Sequence, residues 1–155
     1  MNKISSGKWI SRGGATLKIR VTGNRVIGTY STSNGRPKSS EQFFVNGLIN
    51  NELIGFTVAF LHEKEYNSLY NNENYHSLTT WCGRYEKRIK NYETKQEEDC
   101  IRAVWNYAKM FADKANTEPI DSASVFHVGQ VEFFWEGQLT KEEEALINSI
   151  ARTNS

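Results

Sequence analysis

The sequence predicts an all-β domain, an antiparallel barrel or sandwich, followed by one short C-terminal helix. Three observations carry this. Apolar and polar residues alternate with period two, as in Ala15-Thr16-Leu17-Lys18-Ile19-Arg20-Val21, where Ala15, Leu17, Ile19 and Val21 share one face. Turn-forming residues interrupt the alternation at short intervals, giving seven or eight short strands in sequence. The period changes only near the end, where Thr140 stands three residues before Glu143, a capping-box spacing, ahead of Ala145, Leu146, Ile147 and Ile150.

Taken in order, Gly7-Lys8-Trp9 opens the first strand, and Ala15 to Val21 form the second. Thr22-Gly23-Asn24-Arg25 is a turn, and Arg25 to Thr32 return as the other arm of a hairpin. Ser33-Asn34-Gly35-Arg36-Pro37 reads as a loop. Gln42 to Asn46 and Leu53 to Leu61 are strands joined through Gly47 to Asn51, and the Asn-rich stretch Tyr66 to Asn74 is a loop. Tyr75 to Tyr85 is a long strand in which Tyr75, Ser77, Thr79 and Trp81 share a face. Lys87 to Asp99 is so charged that it reads as an exposed, solvated insertion. Ile101 to Met110 and Ser124 to Trp135 complete the strands, and the helix runs from Lys141 to about Ala151. The barrel is assigned to residues 7–138 and the helical extension to 139–155.

At 155 residues the chain fits one domain with a real core, so no metal or disulfide staple is obligatory. Nineteen Lys and Arg against eighteen Asp and Glu leave no broad basic field for nucleic acid. No apolar run approaches the ~20 residues that span a bilayer as a helix. The start, MNKISSGKWI, lacks the apolar stretch of a signal peptide, so the expectation is a cytoplasmic chain or one whose leader was removed. Two cysteines, Cys82 and Cys100, match no zinc spacing and no metal site is expected. There is no phosphate-binding glycine loop before a helix and no short-range pairing of nucleophile and base, so no catalytic residue is assigned and a non-enzymatic role is expected.

Several motifs carry a family resemblance. Gly7-x-Trp9 is a calycin opening. Gly28-Thr29-Tyr30-Ser31-Thr32, Gly55 to Phe60, His76-Ser77-Leu78-Thr79-Thr80-Trp81-Cys82-Gly83-Arg84-Tyr85 and Ile101 to Trp105 resemble the third, fifth, sixth and seventh strands of the avidin and streptavidin family. The resemblance is good from Gly7 to Trp105 and poor in the last strand. It implies an eight-stranded antiparallel up-and-down β-barrel that binds biotin at one open end, with biotin as ligand and no cofactor. It also implies roles for individual residues: Tyr30 donating to the ureido oxygen, Thr32 near a ureido nitrogen, Ser77 at the carboxylate, Thr79 at the sulfur, and Trp81, Trp105 and Phe60 as aromatic walls. Ser11 stands where the family uses an Asn toward the ureido oxygen.

The departures weaken the expected binding. Ala15 replaces a hydroxyl, and Val131, in Val128-Gly129-Gln130-Val131, replaces the carboxylate or amide that accepts from a ureido nitrogen. A one-residue bulge would bring Gln130 or Glu132 inward instead. Losing two or three such bonds costs ~3–8 kcal/mol of affinity, so binding below typical avidin strength is expected. The inter-subunit Trp of the family aligns with Ala123 and is missing. The resemblance implies a homo-oligomer, and the missing Trp favours a dimer over a tetramer, with the capped helix packing on its own barrel or at an interface. The family register sets Trp81 opposite Trp105 and Cys82 near Val104. Cys100 then lies over ~10 Å away, beyond disulfide reach, so two free thiols are expected.

Two other readings stand beside this one: a barrel carrying a different small cyclic or apolar ligand, in the manner of the lipocalins, and a structural barrel whose interior is filled by its own aromatics. Trp9 is expected under the closed end, His76 on the surface, and His127 as a satisfied strand histidine.

Overall fold

The computed structural model describes residues 2–33, 41–60, 77–109 and 126–154. Eight strands form a closed antiparallel barrel in sequence order: β1 (Gly7–Ser11), β2 (Ala15–Thr22), β3 (Arg25–Thr32), β4 (Phe43–Asn50), β5 (Leu53–Phe60), β6 (Ser77–Asn91), β7 (Gln96–Lys109) and β8 (Phe126–Gly137), with β8 returning to pair with β1. Closure leaves neither edge exposed along the ring. Alternate residues therefore face a single interior. Trp9, Leu17, Ile19, Val26, Val45, Ile54, Phe56, Val58, Ile101 and Phe133 fill it with at most 2% exposure. Trp9 lies in this core, edge-on to Trp135 at 5.3 Å, and its indole N–H donates to the Ser5 carbonyl at 3.2 Å.

Two elements differ from the sequence expectation. β4 does not stop at Asn46 but runs to Asn50, which pairs with Leu53, leaving a two-residue turn at Asn51-Glu52 with Asn51 at φ 57°. Asn tolerates that left-handed conformation, so the turn needs no glycine, and Gly47 sits within the ladder. The charged run 87–99 is exposed yet is not a loop. β6 and β7 continue through it as a paired ribbon out to Asn91 and Gln96. Opposite charges meet across and beside the ribbon: Lys87 with Asp99 at 3.1 Å, Arg102 with Glu86 at 2.7 Å, and Arg88 with Glu132 of β8 at 2.5 Å. Cross-strand pairs of this kind let a polar sequence hold strand geometry. The Asn34–Pro37 loop, the Tyr66–Asn74 loop, His76 and Ala123 lie outside the described residues.

Helix α1 (Lys141–Thr153) has the expected capping box: Glu143 N–H donates to Thr140 Oγ1 at 3.1 Å and Thr140 N–H to Glu143 Oε1 at 2.9 Å. It lies against the outer faces of β3 and β4 of its own barrel. The face it presents keeps only half of the predicted stripe. Ala145 and Leu146 point to solvent, whereas Glu143, Ile147, Ile150 and Ala151 turn inward. Residues 143, 147, 150 and 151 share one side at helical spacing. Lys8 and Lys18, outward on β1 and β2, fix that side by reaching Glu143 at 3.4 and 3.0 Å, and Arg20 donates to Asn148. The helix end and the outer face of β4–β5 border a cleft of about 310 Å³ lined by Phe44, Asn46, Ala59, Ile150 and Gln42 among others.

Candidate functional site

The residues singled out in the sequence converge on the barrel interior. Register explains why. Ala15 pairs with Thr32 and Leu17 with Tyr30; Phe60 pairs with Ser77, Val58 with Thr79, and Phe56 with Trp81; Trp81 pairs in turn with Trp105. Each stands at an inward position, so one aromatic-walled space collects side chains from β3, β5, β6 and β7.

Tyr30 is its centre. It is 9% exposed, and its ring lies 5.0 Å from Trp81 and 5.8 Å from Phe60. Burial pushes its phenol up to about 12, against a smaller opposing effect of the hydrogen bond to Thr32. The hydroxyl thus stays protonated and able to donate at any physiological pH. Thr79 and Trp81 are buried, at 5% each, and Thr32, Ser77 and Trp105 are half-buried. Ser77 hydrogen-bonds the Tyr107 hydroxyl. Ser11 is buried on β1, where its Oγ accepts from the Ala15 N–H at 3.0 Å and ties down the β1–β2 turn.

Three members escaped the sequence reading. Phe43 is 6% exposed and packs on Phe60 at 4.7 Å; Phe56 stacks on Trp81 at 4.7 Å and 12°. Phe43-Phe44 gives no parity of its own, and only the pairing of Phe43 with Tyr30 shows which ring is inside. Tyr107 was legible, since it shares the face of Trp105; it contacts His127, whose exposed ring lies 5.5 Å away.

The last strand has no bulge where β7 and β8 meet. Their register runs unbroken from Cys100 opposite Phe134 to Ala108 opposite Phe126. Val131 therefore faces in, opposite Ala103, while Gln130 is exposed and Glu132 is held outside by Arg88. The alternative that brought Gln130 or Glu132 inward is excluded by this ladder. Among the described residues no cluster of His, Cys, Asp and Glu has the makings of a metal site.

A family model described as the Avidin family matches residues 2–134. No curated protein matches the chain. Among solved structures, a rhizavidin–biotin complex superposes with TM-score 0.58 at 21% identity, covering 89% of this chain and 97% of that one. Intact afifavidin in its apo form gives 0.59 at 23%, covering 90% and 86%. Apo shwanavidin gives 0.58 at 21%, covering 88% and 100%.

Proposed function

Since the chain belongs to the avidin family, we propose that it binds biotin non-enzymatically in the open end of its barrel, more weakly than typical avidins do. The observation that carries this is the clustering of Tyr30, Phe60 and Trp81 inside the barrel beside buried Thr79. Rings enclose the apolar body of a small bicycle, and hydroxyls meet its polar edge. The site residues are Ser11, Tyr30, Thr32, Phe60, Ser77, Thr79, Trp81 and Trp105. The reduced strength follows from Ala15 and Val131, which bring no hydrogen-bonding group. Titration calorimetry with biotin tests the reading: saturable binding at one site per chain is expected, and no heat or shift in melting temperature at millimolar biotin would overturn it.

The same chain is proposed to form a homodimer. Outward positions of β6–β8 carry Leu78, Val104, Phe126 and Val128, which are 48, 43, 65 and 69% exposed and lie on rows aligned by strand register. An apolar sheet face of this kind marks a protein contact, and a second copy offers the matching surface.

A further inference from the structure

Beyond Trp81 and Trp105, the inward rows of β6, β7 and β8 carry a second set of polar groups at the mouth of the barrel. Ser77 is the first residue of β6, four residues past Trp81. Tyr107 lies two residues past Trp105 toward the end of β7, about 7 Å nearer the opening. Register sets Thr79, Tyr107 and His127 in one row across the three strands. His127 is the second residue of β8 and continues the inward alternation of Val131 and Gly129. Its exposed ring stands 5.5 Å from that of Tyr107. Among the described residues, no Asp or Glu occupies these rows between the tryptophans and the open end.

The Ser77 and Tyr107 hydroxyls are joined by a hydrogen bond. Two hydroxyls have two O–H groups, and the bond between them uses one, so the pair keeps one donor for another group. The phenol is the more acidic of the two and so the better donor toward an anion. Facing one, Ser77 donates to Tyr107 and Tyr107 donates outward, a chain in which each bond strengthens the next. Burial raises the phenol, against a smaller opposing effect of the Ser77 bond, and so keeps it a protonated donor. The imidazole of His127 beside it is neutral or cationic and never anionic. Such a mouth favours a negatively charged group over a neutral one, because a hydrogen bond to a charged acceptor is roughly twice as strong.

Building on the proposal that a ligand's rings lie among Tyr30, Phe60 and Trp81, we infer that Tyr107 is a further ligand-binding residue, donating to a carboxylate at the end of the ligand's side chain, with Ser77 as its positioning residue. The ligand class is a small ring system on a short aliphatic chain, taken as the free acid in preference to its amide or ester.

Calorimetry at neutral pH with biotin and with biotin carboxamide, which share rings and chain and differ in the charge at its end, tests this on the full chain and on Tyr107→Phe, Ser77→Ala and His127→Glu. The wild type is expected to bind the acid about 10-fold more tightly than the amide. Tyr107→Phe should bring the two within about threefold of each other by weakening the acid, with little change in the amide. Ser77→Ala should keep most of the preference, since the phenol retains its O–H. His127→Glu, which places a negative charge at the mouth, should weaken the acid more than the amide. A loss of packing would weaken both compounds alike, so the ratio of acid to amide separates a contact from a structural effect. Acid and amide bound equally by the wild type, or a preference lost in Ser77→Ala and kept in Tyr107→Phe, overturns the role of Tyr107 and leaves the binding proposal standing. No binding of either compound overturns both.

Discussion

The indole of Trp105 lies in the space above Gly129, its partner on β8: a Cβ there would stand 2.2 Å from the ring. Any side chain larger than hydrogen must turn the ring away or push the strands apart. Gly129→Ala is expected to lower stability by about 1–3 kcal/mol, as overpacking does. It should also weaken ligand binding by displacing a wall. Urea unfolding and calorimetry on the same samples check both.

Tyr30→Phe keeps the ring against Trp81 and Phe60 and removes only the hydroxyl. Binding of biotin should weaken by about 1–3 kcal/mol with the fold intact. Equal affinity would remove Tyr30 from the polar contacts.

The two thiols should behave differently. Both are free; Cys82 is exposed on the outer face of β6, while Cys100 is fully buried and its thiol is pushed up to about 11 by that burial. One equivalent of a thiol reagent should react promptly with native protein, and the second only after denaturation, without reductant. No reaction after denaturation would contradict the register that pairs Cys82 with Val104.

Glu143 couples the helix to the barrel in a pH-dependent way. Partial burial alone would raise its carboxyl, but the Thr140 N–H and the ammonium groups of Lys18 and Lys8 outweigh it and pull it from 4.5 to about 2. A carboxyl lowered by folding stabilises above its unfolded value and loses that contribution as pH falls through the folded one. Glu143→Gln should therefore cost roughly 1–2 kcal/mol at neutral pH. The gap to wild type should narrow between about pH 4.5 and 2. Chemical unfolding at pH 7, 4 and 2.5 measures it.

For the proposed dimer, light scattering is expected to give twice the chain mass for the wild type and one chain mass for Val128→Lys. Ending the chain at Gln138 should lower stability and leave the mass unchanged, because α1 lies on β3 and β4 rather than on the β6–β8 face. A monomeric wild type at micromolar concentration would reject the dimer.

Much of the fold was legible because period-two alternation is local. Ala15 to Val21 announces its inward face by itself, and Thr140 with Glu143 announces the helix start. The ribbon from Lys87 to Asp99 was not legible as strand, since its support comes from charges on the facing strand and on β8, such as Glu132 beneath Arg88. The helix face was likewise decided by Lys8 and Lys18, residues more than a hundred positions away in the chain.

By itself the sequence determined the all-β class, the family motifs around Tyr30 and Trp81, and the apolar substitutions at Ala15 and Val131. Only the tertiary structure decided that Val131 faces in without a bulge and that Phe43 rather than Phe44 joins the aromatic walls. The physical reason is that barrel closure fixes register between strands distant in sequence. A shift of one residue in any ladder exchanges inside for outside, and no local pattern of side chains specifies it alone.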